Sequence, residues 1–244
     1  MPISTLAMAM AAIVMFTSWY VVGRRIARSR LAAGRQVSFL HQFFLHMGIF
    51  CAFLVAPMLL LSFAPERFPV AMAWGYVVGH IFCYIAFTYV LRLQFSMLPR
   101  LARFDGLALA IGIAVNAALT VYSYGTMISG VQPAYNAAQG LVEYNATPLL
   151  GAGIAVFATV CVLPTAILMI VNGIRNPGSR LRSFLLGGGL FILMIAGPLH
   201  DVAPSAAFYT LAEIITIIGL LLLVSGVLYR YEEHAATARV VPAK

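Results

Sequence analysis

Apolar residues run almost unbroken through seven stretches of the chain, near residues 5–22, 38–63, 69–91, 106–129, 148–172, 183–200 and 207–229. Short segments between them hold nearly all the charged positions. Crossing a hydrocarbon core of about 30 Å takes roughly 20 apolar residues in a helix, and each stretch is close to that length. A bilayer offers no water to backbone groups, so each span must be helical or part of a closed barrel. The stretches lack the in–out alternation of barrel strands, so they are predicted to be helices. The predicted fold is all-α: a single seven-helix transmembrane domain covering residues 1–244.

Charge sets the expected orientation. Arg24, Arg25, Arg28, Arg30 and Arg35 lie between the first two spans, Arg92, Arg100 and Arg103 between the third and fourth, and Arg175, Arg180 and Arg182 between the fifth and sixth. Arg230, Arg239 and Lys244 follow the seventh, and Arg67 alone falls on the other side. Cationic loops stay in the cytoplasm, so the N-terminus is expected outside and the C-terminus inside. Trp19, Tyr20, Trp74, Phe208, Tyr209, Tyr229 and Tyr231 sit at span ends, where amphipathic rings favour the headgroup level. The first span precedes an Arg-rich loop and has no small-residue cleavage pattern, so it is expected to stay as an anchor.

Composition agrees. The chain is 62% hydrophobic and 9% charged, with a mean hydropathy of +0.96, whereas a soluble domain carries about 25% charged residues. The net charge of +8 is spread over four short segments with no room for a nucleic-acid module, so anionic membrane lipids are the expected partner of these cations, and nucleic acid is not. Cys51, Cys83 and Cys161 all lie within spans without CxxC spacing, which speaks against a disulfide framework or a zinc knuckle. Fourteen arginines against one lysine hint at a GC-rich bacterial genome, and hence a cytoplasmic (inner) membrane.

Several polar residues lie inside the spans. Glu213 is about four positions past the start of the seventh, roughly 9 Å below the surface at 1.5 Å per residue. An acid at that depth is costly and points to function. Tyr209 and Thr216 share its helical face. On the third span Tyr76, His80, Tyr84 and Thr88 recur every four residues, with His80 near mid-membrane; Asn116, Thr120 and Tyr124 form a similar stripe on the fourth. His80 and Glu213 are the expected central contacts of an outward-opening polar cavity lined by Tyr76, Tyr84, Asn116, Thr120, Thr216 and Tyr209. The competing role for each is interhelical hydrogen bonding. His200 and Asp201 end the sixth span at the same surface, where a metal or an ion pair could form, although no HExxH or HxxxH spacing accompanies them. His46 and His80 are the best-matched histidines for a bis-His haem, with an expected height difference of about 5 Å at 1.5 Å per residue. The long loop near residues 130–147, with Pro133, Tyr135, Glu143 and Tyr144, either covers a site or acts as a tether.

Pro57, Pro164 and Pro198 fall within spans and are expected to kink them. Gly75 and Gly79 form a GxxxG, and Gly187–Gly189 open the sixth span, so close helix approach is expected at both. The seven spans show no pair of matched, broken halves, which lowers the expectation of an inverted-repeat transporter.

The outline resembles the microbial retinal proteins, but the only lysine is Lys244, which leaves no residue in the seventh span for a Schiff base and excludes covalently linked retinal. Ala56-Pro57-Met58-Leu59-Leu60 with nearby histidines is similar to a stretch of the membrane copper-delivery factors for cytochrome oxidase. There the histidines are four apart and reached from the opposite side, so no residue is carried over. The outline also resembles the seven-helix sensory input modules of bacteria, which continue into an output domain. The tail after Arg230 has no room for one, so a partner protein or a homo-oligomer is expected to carry any signal.

Together these features lead to the expectation of a non-enzymatic membrane protein that binds a small ligand, a proton or a lipid-like molecule. One alternative is a subunit or assembly factor of a respiratory or photosynthetic complex holding haem, quinone or copper through His46, His80 or His200. Another is a proton-coupled transporter. An intramembrane hydrolase lacks its paired nucleophile and base.

Overall fold

The computed structural model describes residues 3–28, 35–130, 133–138, 141–145, 147–201 and 205–240. Seven α-helices are present among them: α1 (Ile3–Arg28), α2 (Arg35–Met58), α3 (Phe68–Met97), α4 (Asp105–Ile128), α5 (Pro148–Arg175), α6 (Arg180–Asp201) and α7 (Ala206–Val240). Six are long and apolar enough to cross a membrane. The apolar part of α1 is shorter, Met8–Arg24.

The helix ends follow local chemistry. Thr147 caps α5 by accepting from Leu150 N at 3.3 Å, with Pro148 in the first turn, where its missing N–H costs nothing. Leu98 and Asn176, each just before a proline, turn extended and stop α3 and α5. Pro57 lies in the last turn of α2, and the chain continues as a 3-10 turn, Leu59–Ser62. The predicted second span, 38–63, therefore joins an α-helix to a tighter coil.

Six helices close a ring in the order α1, α2, α3, α5, α6, α7, with α7 returning to α1. α4 stands outside it, packed mainly on α3. Half of the most apolar window of α3 is buried but only 17% of that of α4, so α3 is central and α4 peripheral.

Close contacts occur at glycines. A Cβ on Gly75 would run into Phe53 O and come within 2.8 Å of Pro57 Cγ. Phe53 O is the carbonyl that Pro57, lacking an N–H, leaves without its intrahelical donor, so proline and glycine together let α3 approach the α2 backbone. On α6, a Cβ at Gly187 would lie 2.8 Å from Ala166 O of α5, and one at Gly189 would lie 2.7 Å from Gly219 O of α7. Opposite faces of one turn of α6 thus seat different neighbours.

The two ends of the bundle differ. At one, Arg92 of α3 donates twice to Asp105 of α4, at 2.9 and 2.7 Å, and Arg35 of α2 adds a contact at 3.2 Å. At the other, a β-hairpin of β1 (Ala134–Asn136) and β2 (Leu141–Glu143) pairs Tyr135 with Val142. Val142 is buried in an apolar cluster with Met8 and Ala11 of α1, Cys51 and Met58 of α2, and Met72 of α3. Asn145, with φ 51°, uses a left-handed conformation that asparagine tolerates, and this redirects the chain into α5.

Candidate functional site

Beneath the hairpin, α2, α3 and α7 bring together a buried polar and aromatic cluster. Tyr84 is 0% exposed, Glu213 2%, Tyr209 5% and His80 8%. The four-residue spacing on α3 places Tyr76, His80 and Tyr84 in one stack, with ring centroids 4.0 Å apart for Tyr76–His80 and 5.7 Å for His80–Tyr84. Phe50 of α2 meets His80 edge-on at 5.1 Å, and Tyr144, just after β2, lies 5.3 Å from the Tyr76 ring.

His80 Nδ1 lies 2.8 Å from Tyr76 O. A carbonyl only accepts, so Nδ1 carries the hydrogen and a neutral imidazole presents the lone pair of Nε2. This backbone anchor is the kind that orients a histidine for a ligand, a proton or a metal.

On α7, the Tyr209 hydroxyl donates to the Glu213 carboxyl one turn along. Tyr144 and Cys51 are electrostatic neighbours of Tyr209, and Cys51 is also a neighbour of Glu213 and of Cys83. Tyr144 thus lies near both the His80 stack and the Glu213 pair. The Tyr84 hydroxyl is fully buried and has no hydrogen-bond partner among the described residues. A buried donor of this kind costs about 1–3 kcal/mol unless something satisfies it.

Not every predicted lining residue belongs here. Asn116 donates to Ile81 O of α3 at 3.2 Å and Thr120 donates to Asn116 at 3.1 Å, so this stripe fastens α4 to the outside of α3. Tyr124 is exposed beside Trp74. Thr216 bonds back to Ala212 O at 3.0 Å and Thr88 to Tyr84 O at 2.8 Å, each on its own helix.

The His46 ring packs against Phe82 and Tyr89, which at 100° per residue lie about 160–180° around α3 from His80. His80 packs instead against Phe50, Tyr76 and Tyr84, so the two imidazoles have different aromatic neighbours. His41 stacks on Trp19 at 5.8 Å, in the seam between α1 and α2. His200 and Asp201 complete α6, but their side chains lie outside the described residues. Among the described residues, no three of His, Cys, Asp and Glu gather in a metal-binding group.

The spacing of Cys51 and Cys83 carries no motif, and Tyr144 falls in the long loop between the fourth and fifth spans. Their place in the cluster depends on how the helices are arranged, which the pattern of each span alone does not reveal. A cavity of about 20 Å³ beside Tyr76, Tyr144, Ser123 and Pro133 has room for roughly one water. No protein-family model and no curated protein matches the sequence.

Proposed function

We propose that this is a seven-span protein of a bacterial cytoplasmic membrane, with its N-terminus and hairpin outside, which binds a small polar ligand or a proton in the cluster between His80 and Glu213. The carrying observation is the Tyr84 hydroxyl, buried beside His80 with no hydrogen-bond partner among the described residues. A donor next to the free lone pair of an anchored imidazole is the pair of groups that a small ligand with both donor and acceptor atoms would satisfy. The hairpin lies over this site with Tyr144 against Tyr76, so anything larger than a water enters when the hairpin lifts. Binding is then coupled to a movement on the outer face, which a partner chain or a second copy can sense.

The orientation rests on the cation-rich end that gathers Arg35, Arg92 and Arg182, opposite the hairpin. If a redox group is held instead, His80 serves alone through Nε2, and the absorption spectrum of the purified protein reports it directly. The binding reading is tested by screening small polar compounds for thermal stabilisation of the detergent-solubilised chain. A compound that raises the melting temperature of the wild type should lose most of its effect in Tyr84→Phe and Glu213→Gln. Equal stabilisation of all three proteins would place the site elsewhere.

A further inference from the structure

A larger cavity lies at the other end of the bundle, where α2, α3, α5 and α6 meet. Its volume of about 280 Å³ equals roughly nine liquid waters at about 30 Å³ each, and it approaches the range of small-molecule sites, about 300–1,000 Å³. Leu40, Leu93, Met97 and Met169 supply its apolar lining. The polar lining comes from Asn172 of α5, Ser179 of the turn that follows, Ser183 of α6 and Gln36 of α2.

Most of these polar groups are spent on one another. Asn176 donates to Asn172 Oδ1 at 2.6 Å, and Asn172 donates to Ser183 Oγ at 2.8 Å and to Ser179 Oγ at 3.3 Å. Ser179 donates in turn to Asn176 O at 3.4 Å. Ser183 differs: it is 5% exposed and its oxygen accepts from Asn172, but its hydroxyl hydrogen has no acceptor among the described residues. A buried donor in that state is costly until an acceptor reaches it. The exposed Gln36 likewise makes no side-chain hydrogen bond among the described residues. Arg182 borders the cleft as well, but it is bonded to Gly226 O of α7 at 3.3 Å and has a further interaction. The unspent donors identified here, a hydroxyl and an amide, are neutral, and they suit an uncharged acceptor such as a carbonyl oxygen. Met97 and Met169 add polarizable thioethers, which make favourable contacts with flat rings.

We infer that this cleft binds an uncharged, flat ring bearing a carbonyl oxygen, the chemistry of a quinone head group, with Ser183 donating to the carbonyl and Met97 and Met169 against the ring. A soluble heterocycle shares that chemistry, and the experiment separates the two sources. The cleft is distinct from the His80–Glu213 cluster and does not depend on its reading.

The test is the melting temperature of the full chain in detergent with duroquinone, with durene, which is the same tetramethylated ring without carbonyls, or with uracil. At a hundredfold excess over Kd, duroquinone should raise it by roughly 5–10 °C. Durene should raise it far less. Ser183→Ala, which removes the donor, should abolish most of the duroquinone shift. Met97→Trp, which fills the apolar side and leaves every hydrogen-bonding group in place, should abolish it too, and it serves if Ser183→Ala does not fold. A shift with uracil and none with duroquinone would support the carbonyl site and assign it to a soluble ring. Equal shifts with duroquinone and durene, no shift with either duroquinone or uracil, or a shift unchanged in both variants would overturn the inference.

Discussion

Arg92 grips Asp105 with both arms of its guanidinium fork, Nε at 2.9 Å and a terminal nitrogen at 2.7 Å. This pair ties α3 to α4, the one helix outside the ring. The two side chains are 19% and 12% exposed, and the guanidinium also lies 4.7 Å above the Phe39 ring. A partly desolvated, bidentate pair of this kind differs from an ordinary surface ion pair.

Asp105→Ala should therefore destabilise the protein by about 3 kcal/mol, because it leaves Arg92 and Arg35 together without a counter-charge. Thermal unfolding in detergent measures the loss. Arg92→Lys should also be costly, since an ammonium can neither bridge both carboxylate oxygens nor stack on Phe39 in the same way. Substituting Arg35, which is 60% exposed, should have the smallest effect of the three.

The three adjacent glycines of α6 form a graded series. A methyl at Gly187 or Gly189 meets the backbone of a neighbouring helix, whereas one at Gly188 meets nothing within 4 Å. Gly188→Ala should be neutral or slightly stabilising, as expected for replacing glycine within a helix. Gly187→Ala and Gly189→Ala should each cost about 1–3 kcal/mol through overpacking. Equal melting temperatures for all three variants would show that α5 and α7 can move away freely.

Tyr84→Phe separates a structural cluster from a binding one. Removing a buried hydroxyl that has no partner among the described residues should leave the ligand-free protein as stable as the wild type, or more stable by about 1 kcal/mol. Binding should weaken at least tenfold, the equivalent of about 1.4 kcal/mol. Melting curves with and without a stabilising compound read both quantities from one pair of proteins. A marked loss of stability in Tyr84→Phe without ligand would show that the hydroxyl serves the fold.

Much of the fold was legible in the sequence because a lipid-facing helix must be apolar along its length. Each predicted span coincides with a helix, and the differences lie at the ends. α3 runs to Met97 instead of residue 91, since Arg92 finds its partner in Asp105 and the helix need not stop at the charge. α7 likewise continues as helix beyond residue 229. The peripheral position of α4 was not legible, because its hydropathy resembles that of ring helices while its neighbours are chosen by packing. Nor was the hairpin, whose strands of three residues are too short to show an alternation. At the site, the α3 stripe and the Tyr209–Glu213 turn follow from helical periodicity and are found as expected. The stripe on α4 obeys the same periodicity but faces the α3 backbone, and periodicity cannot distinguish a wall of a cavity from a seam.

The proposed access to the site from outside depends on which end of the bundle faces out. Cys51, Cys83 and Cys161 are buried, so a cysteine introduced at the exposed hairpin residue Ala138 would be the accessible thiol. Treatment of intact cells with a membrane-impermeant maleimide should label Ala138→Cys and leave the parent protein unlabelled. Labelling of Ala138→Cys only after the cells are broken would place the hairpin, and the site beneath it, in the cytoplasm and contradict the account.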